Sequence, residues 1–340
     1  MFEGHGDDGY RFDQSVIADF STNVYYGGTP PGLKEHVFAA WDKVERYPEV
    51  LAESLSLKIA AHYQLPADHI LVTNGSTESI YLIAQAFKNS RSDILIPSFA
   101  EYEDACRMHG HQLQFIAWEQ LVQGYKTEAE LLWVCNPNNP TGAIISDLEH
   151  FVSVNVNTLF IVDEAFIEFT SSINSVLRLV SKYSNLLVLR SMTKAYAIPG
   201  LRLGYIVGHP DLMQRIRNFK LPWTVNSLAL QAGHFIFDHL MEVQVPLSRL
   251  LADRGVFANA LADLSFIVCE SHTHFLLVET PIFSAAELKK YLLETHHLLV
   301  RDAGNFRGLT DRHFRVATLS PAKNELLINA LAAWKHTSSL

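Results

Sequence analysis

From residue 69 onward, short runs of Ile, Leu and Val recur at intervals filled by helix-length amphipathic segments: "HILVT" (69–73), "DILIP" (93–97), "LLWVC" (131–135), "TLFIVDE" (158–164), "NLLVLR" (185–190) and "LGYIVG" (203–208). A strand with one face in water alternates apolar and polar residues, whereas these runs are apolar throughout. They predict strands buried on both faces, in a mostly parallel sheet with helices on each side, an α/β architecture. After Gly208 the pattern turns mostly helical to about residue 262. The runs "FIVCE", "HFLLVE", "HLLVR" and "HFRVAT", with helical segments between and after them, then predict a smaller α+β unit. The first 45 residues are polar and rich in Gly and Pro, and read as an arm that packs on either unit. The expected division is 1–45 as arm and part of the small unit, 46–245 as the large unit, and 246–340 as the small C-terminal unit. A chain of 340 residues has room for both.

Composition narrows the function classes. Apolar residues make up 48% and charged residues 19%, which suits a globular enzyme and is too apolar for disorder. A net charge of -9 argues against nonspecific nucleic-acid binding, which needs a basic surface. Any anionic ligand must therefore be held by local cations and backbone amides. Cys106, Cys135 and Cys269 are odd in number, widely spaced and free of any CxxC pattern, so they read as reduced thiols. The N-terminus has no apolar leader, and no later run approaches a membrane span. The cytoplasm is the expected compartment, with neither membrane nor nucleic acid as a partner. The 16 histidines include no HExxH spacing, and no metal site is expected.

In open α/β sheets, ligands bind beyond the carboxyl ends of the strands. Four unusual clusters fall there. "HILVT" runs into "NGSTES", a Gly- and hydroxyl-rich turn opening the helix "ESIYLIAQAF". Backbone N–H groups at a helix start, with the Ser76 and Thr77 hydroxyls, make a phosphate site; the same residues also describe an ordinary N-cap. There is no GK[ST], so this is not a P-loop. "LLWVC" runs into "NPNNPTG" (136–142), a polar loop whose Asn139 can donate to a ligand oxygen, or simply a turn. "TLFIVDE" ends in Asp163 and Glu164, and an acid closing so apolar a strand is costly to bury unless paired. The alternative is a carboxylate at a solvated strand end. Finally, "NLLVLR" runs into "SMTKAYAIPGLRLGY", where Lys194 and Arg202 stand with no carboxylate between residues 190 and 205.

Together these clusters place a phosphate cradle, a donor, an anion and a lysine along one sheet edge. That set matches the needs of pyridoxal 5'-phosphate (PLP): an amine for a Schiff base, a carboxylate to keep the ring nitrogen protonated, and a phosphate anchor. At this point the whole chain resembles the fold-type I, aspartate-aminotransferase-like PLP enzymes of class I/II, on "NPNNPTG", "VDEA" and "SMTKAYAIPGLRLGY" in this order and spacing. The resemblance implies that Lys194 links covalently to the cofactor, that Asp163 pairs with the ring nitrogen, and that Asn139 bonds the phenolic oxygen. It further implies a phosphate held by Ser76, Thr77, Ser191, Thr193 and Arg202, with Phe99 of "PSFAEY" stacked on the ring.

Within the family, the length and "RYP" (46–48) are similar to the histidinol-phosphate aminotransferase branch. That similarity implies a homodimer in which Tyr47 reaches the neighbouring subunit's cofactor phosphate. Arg315 in "FRVAT" falls where the family binds a substrate carboxylate, and Arg301 in "LLVR" near a substrate phosphate. Bidentate Arg–carboxylate geometry supports the first role; the plainer reading of either arginine is an edge-facing surface charge. Phe166 in "DEAFIEF" replaces the tyrosine usual in that branch. "GHGDDGYRF", "ADFSTNVYYGG" and "PSFAEYEDA" look more like the related L-threonine-O-3-phosphate decarboxylases of the cobalamin pathway. The resemblance thus implies a small phosphorylated amino acid or amine as substrate, with Asn23 and His5 as candidate contacts. Decarboxylation is the expected reaction, and transamination of histidinol phosphate the alternative.

Overall fold

The computed structural model describes residues 8–12, 15–122 and 124–337, so His5 lies outside the described residues. The large sheet contains β1 (Ile70–Thr73), β2 (Arg91–Ile96), β3 (Gln112–Ala117), β4 (Leu131–Cys135), β5 (Leu159–Asp163), β6 (Leu186–Ser191) and β7 (Gly204–Gly208). Among the described residues these seven strands lie in the order β1-β7-β6-β5-β4-β2-β3. Neighbours are parallel except at β7, which runs antiparallel to both β1 and β6. The six apolar runs all became strands. The seventh, β3, gave no such signal because, unlike the fully buried edge strand β1, it leaves one side partly exposed. Its sequence QLQFIA alternates, with Gln112 and Gln114 exposed and Ile116 buried.

Both faces of the sheet are buried, as uninterrupted apolar runs require. Ile70, Val72, Leu132, Val134, Leu186 and Val188 point into one cluster, closed by α1 (Glu53–Tyr63) through Leu55 and Ile59. Leu71, Leu131, Trp133, Leu187 and Leu189 point into the other, closed by α2 (Gly75–Ala86) and α3 (Glu101–Met108) through Ile80, Ile83 and Tyr102.

The helices α4 (Pro210–Arg217), α5 (Ser227–Asp238) and α6 (Leu247–Asp263) fill the expected helical stretch. A four-stranded antiparallel sheet follows, in the order β10 (Arg301–Asp302), β11 (His313–Ala317), β9 (Phe275–Glu279), β8 (Ile267–Val268). Its core gathers Leu276, Val278, Phe314 and Val316 with Leu288 and Leu292 of α7 (Ala285–His296) and Leu327 and Leu331 of α8 (Pro321–Thr337). The N-terminal arm serves both units. Ala18–Asp19 pairs parallel with Leu298–Leu299, and Phe20 enters the small core, whereas Leu33 and Val37 enter the large one.

Candidate active site

Because β7 is antiparallel to β1 and β6, the carboxyl ends of β1, β4, β5 and β6 share one edge of the sheet. The clusters that follow them meet there around a cavity of about 740 Å³. Ser76, Thr77, Phe99, Asn139, Asp163 and Ser191 line it, as do Thr193, Lys194, Arg202, Asn23, Arg301 and Arg315. Tyr47 does not; it is 83% exposed, with its ring packed 5.1 Å from that of Trp223.

One wall is the start of α2. Its N-cap residue is Asn74, whose amide donates to the Thr224 carbonyl at 2.6 Å and leaves the helix end without a side-chain cap. Ser76 and Thr77 stand inside the first helical turn, so they are not the N-cap that their residue types allow. Arg202 reaches the same helix end: a β-carbon on Gly75 would lie 2.6 Å from its Nη2. Gly75 sits at φ +74 and Arg202 at φ 61, a strained conformation for an arginine. From the other side, β7 comes so close that a β-carbon on Gly204 would lie 2.8 Å from the Ser76 backbone nitrogen. The Ser191 and Thr193 hydroxyls are 2.7 Å apart nearby, at the end of β6. A helix N-terminus, a guanidinium and hydroxyls brought together where glycine permits close approach make an anion cradle.

Asp163 closes β5 and is 3% exposed. Oδ1 accepts from the Ala165 N–H at 2.9 Å, and Oδ2 accepts from the Tyr102 hydroxyl at 2.7 Å. Burial raises its pKa, while Tyr102, the Ala165 N–H and the charge of Lys194 pull it back. The Lys194 carbonyl accepts from the Tyr25 N–H at 3.0 Å, which ties the lysine loop to the N-terminal arm.

Across the cavity, Arg301 and Arg315 are cross-strand partners in register, only 5% and 6% exposed. Like charges opposite one another destabilise a sheet. Neither has a carboxylate within ion-pair distance among the described residues. Arg315 donates through Nη1 to Asn139 Oδ1 and through Nη2 to the Ser21 carbonyl at 2.6 Å. Arg301 donates to Asn305 Oδ1 at 2.7 Å and lies over the Phe306 ring. Burial first, then Arg301, pushes the Arg315 pKa down to about 9, which still leaves it charged at neutral pH. Asn23 is 2% exposed, and neither its Oδ1 nor its Nδ2 has a protein partner among the described residues. Its backbone carbonyl accepts from His274 Nε2 at 3.0 Å. Phe166 packs edge-on against Phe275 at 5.0 Å, in an apolar nest shared with Phe169.

The family model for aminotransferase class I and II matches residues 15–331. The chain belongs to that family. It is 35% identical over 334 residues to a threonine-phosphate decarboxylase of Salmonella typhimurium, covering 93% of this chain and 90% of that one. It is 34% identical over 272 residues to a histidinol-phosphate aminotransferase of Sinorhizobium fredii, covering 76% of this chain and 73% of that one. The solved L-threonine-O-3-phosphate decarboxylase of Porphyromonas gingivalis superposes with a TM-score of 0.92 at 38% identity, covering 94% and 100% of the two chains.

The fold is thus fold type I, and the protein is a PLP-dependent enzyme of the aminotransferase family. Its residues fit that cofactor. Gly75 and Gly204 let Arg202 and β7 approach the start of α2 closely, Asp163 offers a buried anion, and Lys194 lines the same cavity as Ser76, Thr77 and Arg202.

Several contributors were not singled out from the sequence. Tyr102 grips Asp163, His274 holds Asn23, and Arg307 donates twice to Glu103, at 3.0 and 2.8 Å, beside the cavity. Tyr102 carried a readable signal: it follows Phe99 by three residues at the start of a helix, a spacing that places both on one side. His274 and Arg307 carried none.

Proposed function

We propose that the protein decarboxylates L-threonine-O-3-phosphate to aminopropanol phosphate, an activity that belongs to cobalamin synthesis. The observation that carries this reading is the buried pair Arg301 and Arg315, two cations held opposite each other with no carboxylate in ion-pair contact among the described residues, while Asp302 and Asp8 act on Arg301, and Asp19 on Arg315, only at longer range. A small substrate bearing both a carboxylate and a phosphate would neutralise both. Similarity to threonine-phosphate decarboxylases at 35% and 38% identity supports the same choice.

When bound, PLP supplies an electron sink for the pair left at Cα by bond cleavage. Asp163 keeps the proton on the ring nitrogen, and Phe99 covers the ring. Asn139, whose Oδ1 is occupied by Arg315, has its NH₂ left to donate to the phenolic oxygen. Ser76, Thr77, Ser191, Thr193 and Arg202 hold the cofactor phosphate. Arg315 takes the substrate carboxylate and Arg301 the substrate phosphate, with Asn23 as a further contact. Their grip would fix the orientation of the substrate about Cα and so select the bond to the carboxylate as the one that breaks, with carbon dioxide leaving. Lys194 then delivers a proton to Cα, a role suited to a lysine in a desolvated pocket.

The second reading, transamination of histidinol phosphate, is supported by the 34% identity to an aminotransferase. It would break the Cα–H bond, with Lys194 as the base. Incubation of the cofactor-loaded enzyme with O-phosphothreonine and no keto acid separates the two. Carbon dioxide release supports decarboxylation. No release, together with amino exchange between histidinol phosphate and 2-oxoglutarate, overturns it.

A homodimer with a shared site is part of the proposal. Phe38 and Trp41 are each 55% exposed, Leu221 is 70% and Trp223 48%, and Trp223 packs on Tyr47. The Trp223 N–H donates to the Val50 carbonyl, which joins the two aromatic segments into one apolar face suited to a second copy. No helix among the described residues is long and apolar enough to cross a membrane, and we place the enzyme in the cytoplasm.

A further inference from the structure

We propose that Tyr102 is a positioning residue for Asp163, fixing the direction of its carboxylate and keeping it ionised toward the cofactor ring. The proposal rests on the reading of Asp163 as the partner of the ring nitrogen. Each carboxylate oxygen has its own donor, the Ala165 N–H at 2.9 Å on Oδ1 and the Tyr102 hydroxyl at 2.7 Å on Oδ2. A backbone donor alone leaves the outer oxygen free to rotate. A second donor from a different element, α3, locks the carboxylate plane.

The phenol is held as firmly as its acceptor. Tyr102 is 1% exposed, and its ring stacks on Trp133 of β4 at 5.6 Å and 24°. It also meets Phe99 edge-on at 5.9 Å. The residue that covers the cofactor ring and the residue that grips Asp163 therefore pack on each other. Burial and the neighbouring anion hold the Tyr102 pKa well above its ordinary value, so the hydroxyl remains a donor at every working pH. Burial alone drives Asp163 toward its neutral form, and the tyrosine bond opposes that drift. Without it, the carboxylate becomes the stronger base, and the shared proton moves from the ring nitrogen toward Asp163.

The test uses cofactor-loaded Tyr102→Phe and Asp163→Asn beside the wild type. The pH midpoint of the visible absorption band of the lysine-linked cofactor is measured, together with cofactor affinity. A less positive ring nitrogen eases protonation of the linked amine and moves that midpoint upward. Tyr102→Phe is expected to raise it by about one pH unit and to weaken cofactor binding roughly tenfold. Asp163→Asn shifts the midpoint further in the same direction. An unmoved or lowered midpoint in Tyr102→Phe, beside a raised one in Asp163→Asn, overturns the proposal and leaves Asp163 in its place. Unmoved midpoints in both overturn the reading of Asp163 and the proposal with it. If Tyr102→Phe fails to fold, fluorotyrosine incorporated at position 102 strengthens the donor. It must then lower the midpoint, and an unchanged value there also overturns the proposal.

Discussion

The opposed arginines make the site measurable without any assay of turnover. Arg315 is 6% exposed, and burial pushes its pKa well below the ordinary arginine range, to about 9. At about 1.4 kcal/mol per pH unit, that fall is worth about 5 kcal/mol of unfavourable environment for the charge. Arg315→Gln removes the charge and keeps one amide NH₂ to serve either Asn139 Oδ1 or the Ser21 carbonyl, the two acceptors that Arg315 now satisfies. Leaving the other acceptor without a donor costs about 1–3 kcal/mol. The net expectation is a substrate-free protein more stable by about 2–4 kcal/mol, which for a chain of this size raises Tm by a few degrees. Catalysis moves the opposite way. Losing a desolvated cation that holds a carboxylate should lower kcat/KM by about 10²- to 10³-fold. Thermal melts of the cofactor-loaded wild type and variant, with and without inorganic phosphate, measure the first effect, and carbon dioxide release the second. Arg315 lies directly opposite Arg301, the proposed phosphate contact, and adds to the positive field there, so phosphate should stabilise the wild type more than the variant. A variant that melts several degrees lower, with no loss of phosphate stabilisation, would refute the reasoning. Arg315 would then be a structural strut like one half of a buried ion pair, whose removal costs about 3–5 kcal/mol.

Four further outcomes are expected. Gly75→Ala forces a β-carbon to 2.6 Å from Arg202 Nη2 at a φ of +74, so cofactor affinity measured by equilibrium dialysis should fall about tenfold or more, with Arg202 displaced. If Tyr47 serves the neighbouring subunit, Tyr47→Phe and Lys194→Ala should each be impaired as pure proteins, and refolding them together should restore activity through mixed dimers with one intact site. Glu103→Gln should raise KM for the phosphorylated substrate and leave kcat nearly unchanged, because Arg307 tethers the loop whose Asn305 holds Arg301. Salt should raise the wild-type KM in the same way. Against the pull of burial, the hydrogen bonds and charges of Arg307 and Arg107 lower the Glu103 pKa, so the tether persists as pH falls past its ordinary 4.5 and is lost only as pH falls through the lower folded-state value. Glu164 is raised from 4.5 to about 7 by burial. The folded protein then binds more protons than the unfolded one between those values, so wild-type stability should drop by up to about 3 kcal/mol as pH rises through that window, and Glu164→Gln should flatten that part of a urea-denaturation profile.

What the sequence made legible follows its physics. Strands buried on both faces, such as "LLWVC" and "NLLVLR", announce themselves because nothing else tolerates five apolar residues with no polar side. Gln112–Ala117 did not, because one side of an edge strand is allowed to be polar. Lys194, Asp163 and Asn139 were legible because each is a costly residue just after an apolar run. Their geometric logic, the carboxyl edge of the sheet, belongs to the fold rather than to any motif. Ser76 and Thr77 were ambiguous for the reason that hydroxyls suit both caps and phosphates, and only the position of Asn74 settled that they are not the cap. His274 stayed hidden because a buried aromatic is an ordinary core residue until a hydrogen-bond partner shows otherwise, and Tyr102 was marked only by its spacing from Phe99.

The part least legible is also the part that selects the reaction. The residues proposed to hold the cofactor grow from a single sheet edge, whereas Arg301 and Arg315 grow from the other sheet and Asn23 from the N-terminal arm. Bonds that fasten these pieces among the described residues include Arg315 to Asn139 and to the Ser21 carbonyl, the Tyr25 N–H to the Lys194 carbonyl, His274 to the Asn23 carbonyl, the His272 N–H to the Gly142 carbonyl, and Arg307 to Glu103. The choice between breaking the carboxylate and the hydrogen bond at Cα is a rotation of the substrate, not an exchange of chemical groups. A shift of a fraction of an ångström between the two sheets is enough to alter it. On the proposed roles, the same lysine, aspartate and phosphate cradle would serve decarboxylation or transamination alike, and specificity would reside in the seam between the sheets.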